Sequence, residues 1–320
     1  MKKLRAAVIG VGYLGNFHAQ KYAGLDSVEL VAVSDNDPAR CAEIADQLGT
    51  SAVEDYRQLV GKVDLVSIVV PTLMHHDVAA FFLKHGVHVL LEKPITTTVA
   101  EALDLIAIAE KNNLVFQVGH LERFNPALDA IRGVINRPGF IDATRVAPYK
   151  PRGTDVSIVL DLMVHDLDII STIIGSEVKS ISASGACVYS STLDIANARI
   201  EFKNGAVANV TASRISLHGE RSIRFFQNDA YISVDFQNRK ASICRKGEID
   251  SASGSPVPLV EEIAVPQRDQ ILAEIEAFID SVLTGKPAVV SGKDGMKALQ
   301  IALLIEEKIY ENIALLQAGA

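Results

Sequence analysis

A lysine at the end of a strand is the first feature of this sequence that could do chemistry. The apolar run Val89-Leu90-Leu91 passes directly into Glu92-Lys93-Pro94. Because a residue before proline disfavours the helical region, Lys93 is predicted to stay extended at the carboxyl end of a buried strand. In an open parallel sheet that end faces the ligand crevice. The Lys93 amine could bind a substrate oxygen there, with Glu92 beside the cofactor; alternatively, both charges only solvate a loop.

An aspartate and a histidine four residues apart form the second candidate pair. Asp161 and His165 lie in a segment with an apolar stripe at helical spacing. Residues i and i+4 of an α-helix share a face, so the Asp161 carboxylate could hold one imidazole nitrogen and leave the other to move a proton. The alternatives are an exposed surface pair and a metal site. A metal would need further ligands that the sequence does not place, so no metal is predicted.

The elements that must position these groups begin with a glycine-rich turn. An apolar strand at residues 6–9 runs into Gly10-Val11-Gly12-Tyr13-Leu14-Gly15, which opens a helical pattern. The first glycine permits a tight turn, the second lets backbone approach a pyrophosphate, and the third lets the helix pack on the strand. The turn, including Tyr13 and Leu14, is therefore expected to hold a dinucleotide at the positive end of the helix.

An acidic residue after the second strand bears on the choice of cofactor. Asp35 lies 20 residues after Gly15, where a carboxylate can accept hydrogen bonds from the adenosine ribose and repel a 2′-phosphate. NAD is therefore predicted in preference to NADP. Arg40 keeps NADP open as an alternative, because a guanidinium nearby could tolerate the extra phosphate. Asp37, directly before Pro38, is predicted only to start a helix.

The next strand, at residues 63–70, ends in Pro71-Thr72-Leu73-Met74-His75. Ending in the same crevice, Pro71 and His75 would lie along the cofactor, although a loop histidine can equally be a cap or a solvated residue. Further strands and helices alternate up to residue 118. This alternation predicts an α/β Rossmann fold, a doubly wound parallel sheet.

The stretch that leaves this sheet carries two more candidates. His120 and Arg123 come just after the sixth predicted strand, within reach of the crevice, and are predicted to bind substrate. The fork of Arg123 suits a diphosphate, but it could equally tie two domains together. Asn125 before Pro126 is predicted to cap a helix.

In the second half of the chain, the pattern of apolar residues changes to a period of two. From residue 178 to 247 apolar and polar residues alternate, and Asn204-Gly205 is a strong hairpin signal. This pattern predicts an α+β domain with a large, mostly antiparallel sheet. The predicted domains are a cofactor domain at residues 1–121 and a substrate-binding and oligomerisation domain at 122–320. Two helices, at 267–283 and 292–311, are predicted to close the chain.

Length and composition limit the partners. The 320 residues are 48% hydrophobic, with a net charge of −8, which argues against nucleic acid and anionic membranes as partners. No run approaches the roughly 20 apolar residues that cross a bilayer. Three scattered cysteines provide no disulfide framework, and a cytoplasmic location is expected.

Taken together, Gly10-Gly12-Gly15, Pro71-x-x-x-His75, Glu92-Lys93-Pro94 and Asp161-x-x-x-His165 resemble the Gfo/Idh/MocA family of sugar and cyclitol dehydrogenases. The resemblance covers essentially the whole chain. It implies that Lys93 lies between nicotinamide and substrate, that its peptide bond to the proline can be cis, and that the Asp-x-x-x-His element is catalytic. It also implies that the second sheet packs against another subunit, in a homodimer or homotetramer.

The resemblance implies oxidation of a secondary alcohol of a sugar. Lysine has a reference pKa of about 10.4, so His165 is favoured as the base, and Lys93 as the group that polarises the oxygen; the reverse assignment stays open. Residues 119–126 look most like the branch that oxidises carbon 3 of UDP-N-acetylglucosamine for lipid A or another envelope glycan. The alternatives are a free sugar or inositol dehydrogenase, or a non-catalytic NAD-binding sensor.

Overall fold

The computed structural model describes residues 3–149, 156–251 and 253–318. Within these residues the strands are β1 Leu4–Ile9, β2 Val28–Ser34, β3 Ser51–Val53, β4 Leu65–Ile68, β5 His88–Glu92, β6 Phe116–Gly119, β7 Phe140–Val146, β8 Val178–Ala186, β9 Ile195–Phe202, β10 Val207–Ser213, β11 Glu220–Gln227, β12 Ala230–Asp235, β13 Lys240–Ile249 and β14 Pro256–Ile263. The helices are α1 Tyr13–Ala23, α2 Pro38–Leu48, α3 His75–Lys84, α4 Val99–Lys111, α5 Pro126–Ile131, α6 Val164–Ile174, α7 Gln270–Thr284 and α8 Gly292–Ala318.

The first sheet has the strand order of a dinucleotide-binding fold. In the described part of the chain β1 to β6 form one sheet of order β3-β2-β1-β4-β5-β6, and all neighbouring strands are parallel. Strand β4 is buried along its whole length, because helices cover both faces of such a sheet. The predicted doubly wound sheet is confirmed. The order reverses between β1 and β4, and ligands bind at the carboxyl ends of the strands at such a switch point.

The chain folds into two compact units that are not contiguous in sequence. The first comprises the residues up to Leu121 together with Asp269–Leu299, and the second comprises Glu122–Arg268 and the residues from Gln300 onward. The division predicted from sequence placed residues 269–299 in the second domain, whereas the structure groups them with the first. The reason is packing: Ile275 and Phe278 of α7 join Tyr22 of α1 in one hydrophobic core.

The second unit contains the large sheet that the period of two predicted. In the described residues its order is β14-β13-β12-β11-β7-β10-β9-β8, antiparallel throughout except for the parallel pair β7 and β10. The inner positions of β9, such as Ile200 and Phe202, are buried in a core with Leu167 of α6 and Ile305 of α8. Strands β7 and β14 lie outside the range predicted for this sheet.

The hairpin signal and the closing helices can also be compared with the structure. Gly205 lies between β9 and β10 with φ +89°, which confirms the hairpin predicted at Asn204-Gly205. Helices α7 and α8 confirm the two predicted helices, although α8 extends seven residues beyond the predicted end at 311, to Ala318. Among the described helices, none is both long and apolar enough to span a bilayer.

Candidate active site

The glycine turn between β1 and α1 contains two glycines required by packing and one that is not. Gly10 has φ +86°, and a Cβ there would lie 2.6 Å from the Val69 carbonyl oxygen. At Gly15 a Cβ would lie 1.8 Å from the Gly10 carbonyl oxygen. At Gly12, by contrast, a Cβ would meet no protein atom within 4 Å. The glycine at this exposed position therefore suits close approach of a ligand rather than packing of the chain itself.

The amino terminus of α1 follows this turn directly. Gly12 is its N-cap, and this residue makes no side-chain capping hydrogen bond. The first-turn N–H groups of a helix carry a partial positive charge and bind phosphate readily. Tyr13 is 65% exposed beside the turn and its ring contacts Phe17 edge-on, whereas Leu14 is half-buried. This end of the sheet has the features that a dinucleotide diphosphate requires.

Asp35 is held at the end of β2 by the turn itself. One carboxylate oxygen accepts a hydrogen bond from the Val11 amide at 2.7 Å, and the other accepts one from the Asp37 amide at 2.9 Å. Asp37 caps α2, as predicted, by accepting from the Ala39 amide. Each Asp35 oxygen has a second lone pair for a ribose hydroxyl.

Arg40, the residue that kept NADP open, lies beside the same turn. Its Nε donates to the Val11 carbonyl at 3.3 Å, and its Nη1 pairs with Glu43 at 2.7 Å. The guanidinium is thus already held by a carboxylate of its own helix. The glycine turn and Asp35 therefore suit the ribose of NAD, while the Arg40 guanidinium is paired within its own helix.

His75 is not in a loop but begins α3, and its ring is 1% exposed. Nδ1 lies 2.8 Å from the Pro94 carbonyl oxygen and Nε2 lies 2.9 Å from the Val70 carbonyl oxygen. Burial lowers the pKa of His75, although both carbonyls oppose that shift. The ring therefore connects the segment after β4 with the segment after β5, while Pro71 is the N-cap of a 3₁₀ turn between β4 and α3.

The end of β5 has the geometry expected of the Glu-Lys-Pro element. Glu92 is the last residue of the strand and is buried, and Lys93 follows half-buried. The Lys93–Pro94 peptide bond is cis. The Lys93 amide donates to Glu92 Oε2 at 3.2 Å. The Glu92 carboxyl group also fills the space beside Gly119, where a Cβ would lie 2.8 Å from Oε1.

The segment that carries Asp161 and His165 differs from the prediction. Val159–Met163 is a π-helical turn, and α6 begins only at Val164, so the α-helical spacing assumed for this pair is wrong. A π turn closes i→i+5 hydrogen bonds and is frequent at functional sites. Asp161 and His165 are both half-buried. Each is positioned by this irregular start of the helix.

Arg123 makes a bidentate ion pair inside the second unit. Its Nε and Nη2 donate to the two carboxylate oxygens of Asp168 at 2.6 and 2.9 Å, and both residues are buried. This fork is the geometry in which arginine and carboxylate bind most strongly. Asn125 caps α5 through the Ala127 amide, as predicted. His120, directly after β6, is 1% exposed.

Sequence reasoning missed a second buried ionic group in this unit. Arg145 of β7 donates to both carboxylate oxygens of Asp166 at 2.9 and 2.8 Å, and to Glu122 at 2.9 Å. The sequence signal was weak, because a single arginine in a strand pattern usually faces solvent. In the first unit it also missed His18 of α1 and Glu274 of α7. Glu274 interrupts the apolar face formed by Ile271, Ile275 and Phe278, and that interruption was the available signal.

Comparisons with known proteins agree with this geometry. Residues 4–120 match an oxidoreductase family model described as an NAD-binding Rossmann fold, and residues 130–233 match the GFO/IDH/MocA C-terminal domain. The chain belongs to the Gfo/Idh/MocA family of oxidoreductases. It is an NAD-dependent dehydrogenase, with the cofactor class that the glycine turn and Asp35 predicted.

Individual relatives show which enzymes of this family the chain is similar to. The chain is 38% identical over 306 residues to UDP-N-acetylglucosamine 3-dehydrogenase from Acidithiobacillus ferrooxidans, covering 95% of this chain and 97% of that protein. A solved structure of that enzyme from the same organism matches with a TM-score of 0.90 at 37% identity, covering 97% and 98% of the two chains. Myo-inositol 2-dehydrogenase from Thermotoga maritima is 27% identical over 328 residues, covering 97% of each.

Proposed function

We propose that this protein oxidises carbon 3 of UDP-N-acetylglucosamine to the 3-keto sugar, with NAD as the oxidant. The supporting comparison is the 38% identity, over 95% of the chain, to an enzyme named for that reaction. The observation that carries the proposal within the chain is Lys93, which follows the buried end of β5 with its amide held by Glu92. Polyol dehydrogenation is the second candidate, because an inositol dehydrogenase aligns over nearly the whole chain.

Each catalytic side chain has a proposed role in removing the two hydrogens of the alcohol. Bound NAD supplies the hydride acceptor for the hydrogen on carbon. His165 removes the hydroxyl proton, and Asp161 orients the imidazole. Lys93 binds and polarises the oxygen that becomes the ketone, because an ammonium group stabilises the negative charge that develops there. The reverse assignment, with Lys93 as the base, is the alternative.

The cofactor-binding residues divide into those that contact NAD and those that hold the site. We propose that the turn from Gly10 to Gly15 binds the diphosphate and that Asp35 binds the ribose. Pro71 and Glu92 line the site. His75 holds the Pro94 carbonyl, so its contribution to cofactor binding is through position rather than charge.

Two residues are proposed for the sugar nucleotide. His120, at the end of β6, is proposed to contact the substrate. The second residue is Arg123. Its bidentate pair with Asp168 supports the alternative that Arg123 has a structural role, because Nε and Nη2 already donate to a carboxylate. A diphosphate contact would therefore use the remaining face of this guanidinium.

The product and the assembly are part of the same proposal. A 3-keto sugar is a substrate for amination, so an aminating enzyme would follow in a route to lipid A or another envelope glycan in the cytoplasm. We propose a homodimer or homotetramer through the outer face of the second sheet, which carries the polar pairs Asn197–Thr211 and Arg199–Asn209. Light scattering of the purified protein measures the subunit number.

The experiment that tests the function combines a substrate panel with one substitution. Wild-type protein with NAD is offered UDP-sugars, free hexoses and inositols, and NADH formation is followed. We expect oxidation of UDP-N-acetylglucosamine, and oxidation of an inositol instead would favour the second candidate. Lys93→Ala should abolish turnover while NAD affinity stays within a few fold, because the amine acts on the substrate oxygen. Lys84→Ala, at an exposed position in α3, is the control. Turnover by Lys93→Ala would refute the role of the amine.

A further inference from the structure

A buried group of acidic and imidazole side chains lies in the first unit. His18 of α1, Glu92 of β5 and Glu274 of α7 each bring one nitrogen or oxygen atom within 4.8 Å of the other two. They are 1%, 8% and 0% exposed, respectively. We refer to these three residues as the acid cluster. One of its members, Glu92, is the last residue of β5 and directly precedes Lys93.

The partners of the acid cluster are incomplete. His18 Nε2 lies 3.4 Å from Glu92 Oε1, and its Nδ1 lies 3.2 Å from Ser67 Oγ. The Tyr22 hydroxyl lies 2.9 Å from the same Ser67 oxygen. Within the described residues, neither carboxylate oxygen of Glu274 has a hydrogen-bond partner, and no lysine or arginine pairs with it. A buried carboxylate in that state is costly unless a cation or a proton neutralises it.

A metal ion does not suit this group. A closed zinc site takes four protein ligands and an open one keeps an exchangeable position for water, whereas the acid cluster offers three groups in a buried interior. Calcium and magnesium require six or more oxygen ligands, counting water. A proton on Glu274, by contrast, requires only one nearby oxygen that accepts a hydrogen bond from the resulting O–H group. The Glu92 carboxylate provides that oxygen.

We propose that Glu274 is a neutral carboxylic acid whose O–H group donates a hydrogen bond to the Glu92 carboxylate, and that this pair fixes the Glu92 side chain that holds the Lys93 amide. Glu274 is then a positioning residue for the dehydrogenase, a role that rests on the proposed function of Lys93. Glu92 has two tasks at the end of β5, since it accepts from the Lys93 amide and fills the space beside Gly119. Anchoring its carboxyl group from α7 therefore fixes the backbone from which the lysine side chain extends.

The electrostatic environment of Glu274 agrees with this assignment. Burial raises the pKa of Glu274 well above its ordinary value, and the nearby Glu92 charge raises it further. The titratable groups that face it are Glu92 from β5 and His18 and Tyr22 from α1. Because the folded state holds a proton that the unfolded state releases above a pH of about 4.5, stability should fall as the pH rises towards the raised folded pKa.

The first arm of the test uses no substrate. Melting temperatures of wild type, Glu274→Gln and Glu276→Gln are measured between pH 5 and pH 9, where Glu276 is an exposed residue of the same helix. Gln keeps the size of Glu274 and cannot ionise, so the melting temperature of Glu274→Gln relative to wild type should rise with pH. The difference for Glu276→Gln should stay constant. Infrared spectra should contain a carboxylic-acid band in wild type and in Glu276→Gln that Glu274→Gln lacks.

The second arm separates positioning from protonation. Glu274→Gln retains an N–H donor for Glu92 and should keep kcat within about twofold, whereas Glu274→Leu should lower kcat about tenfold or more with KM for NAD little changed. Equal kcat values for Glu274→Leu and wild type would refute the positioning role. If Glu274→Leu does not fold, Glu274→Gln decides the question. A loss of kcat of about tenfold or more in Glu274→Gln would then refute the positioning role.

Three results would overturn the protonated pair. These are a pH-independent difference in melting temperature between Glu274→Gln and wild type, an acid band that persists in Glu274→Gln, and one equivalent of Zn²⁺ or Mn²⁺ bound by wild type but not by Glu274→Gln. If wild type oxidises no sugar or inositol in the panel, the proposed function fails, while the melting and infrared measurements still decide the protonation of Glu274.

Discussion

Two of the buried ionic groups of this protein neutralise their carboxylates by different means. In the second unit, Arg145 pairs with Glu122 and Asp166, and the three residues are at most 9% exposed. In the acid cluster of the first unit, the His18 imidazole lies within ion-pair distance of Glu92, and among the described residues Glu274 has no lysine or arginine partner. One group has a permanent cation at its centre. The other depends on a proton.

The pKa directions follow from this difference. Two carboxylates raise the pKa of Arg145, and Arg145 in turn lowers the pKa of Glu122 against the effect of burial. At Glu274 burial and a like charge act in the same direction and raise the pKa. Burial raises the pKa of Asp166, the third member of the group, although Arg145 opposes that shift. The cation therefore keeps Glu122 ionised through the neutral range. The acid cluster changes its charge with pH, which is typical of groups near functional sites.

Removing the cation from the balanced group should have the largest effect. Arg145→Met leaves the Glu122 and Asp166 carboxylates buried without their cation, so we expect the free energy of unfolding to fall by about 4 kcal/mol. Urea unfolding at pH 7 measures this loss. The control is Arg245→Met, which removes an exposed pair with Glu261 and should cost less than about 1 kcal/mol. Equal losses for the two variants would mean that the buried group contributes no more than a surface pair.

Changing the shape of a buried cation without removing its charge should have an intermediate effect. Arg123→Lys keeps the positive charge opposite Asp168 but loses the two-pronged hydrogen bond. We expect the free energy of unfolding to fall by about 2 kcal/mol, the usual value of a hydrogen bond to a charged group. The same urea titration measures it. A variant as stable as wild type would show that charge alone, and not the fork, holds this part of the second unit.

The contrast also explains how much the sequence could predict. The glycine turn, the Asn204-Gly205 hairpin and the place of Lys93 directly after a buried strand were predicted correctly because each depends on the preferences of a few adjacent residues. The first sheet followed from alternating strands and helices. The roles of Lys93, Asp161 and His165 remain predictions, since they concern reacting groups rather than backbone.

The parts that the sequence could not supply depend on residues far apart in the chain. Arg145 meets Asp166 only because β7 and α6 pack together, and no local pattern contains that pairing. Glu274 belongs to a helix that is part of the first unit but follows all strands of the second sheet in the sequence. The π turn at Val159–Met163 was missed because it spans only 5 residues and runs directly into α6, whose apolar stripe predicts an ordinary helix.

The smallest expected effect is a difference in the pH dependence of stability, and it compares the two groups directly. Because the folded pKa of Glu122 is lowered, its contribution is present above its unfolded pKa of about 4.5 and is lost as the pH falls below that value. Glu122→Gln should therefore lose stability on acidification less steeply than wild type, by at most about 1.4 kcal/mol per pH unit for one proton.

Stability plotted against pH has an acidic limb, which Glu122→Gln should change, and an alkaline limb, which Glu274→Gln should change. The raised pKa of Glu274 makes wild type lose stability along the alkaline limb as the pH rises. Urea unfolding of both variants and wild type from pH 3.5 to pH 9 measures both limbs, with the slope rather than the offset as the readout. If Glu122→Gln ran parallel to wild type below pH 5, Arg145 would not be holding that carboxylate ionised. If both variants changed the same limb, the distinction between a cation-balanced group and a proton-balanced group would be wrong.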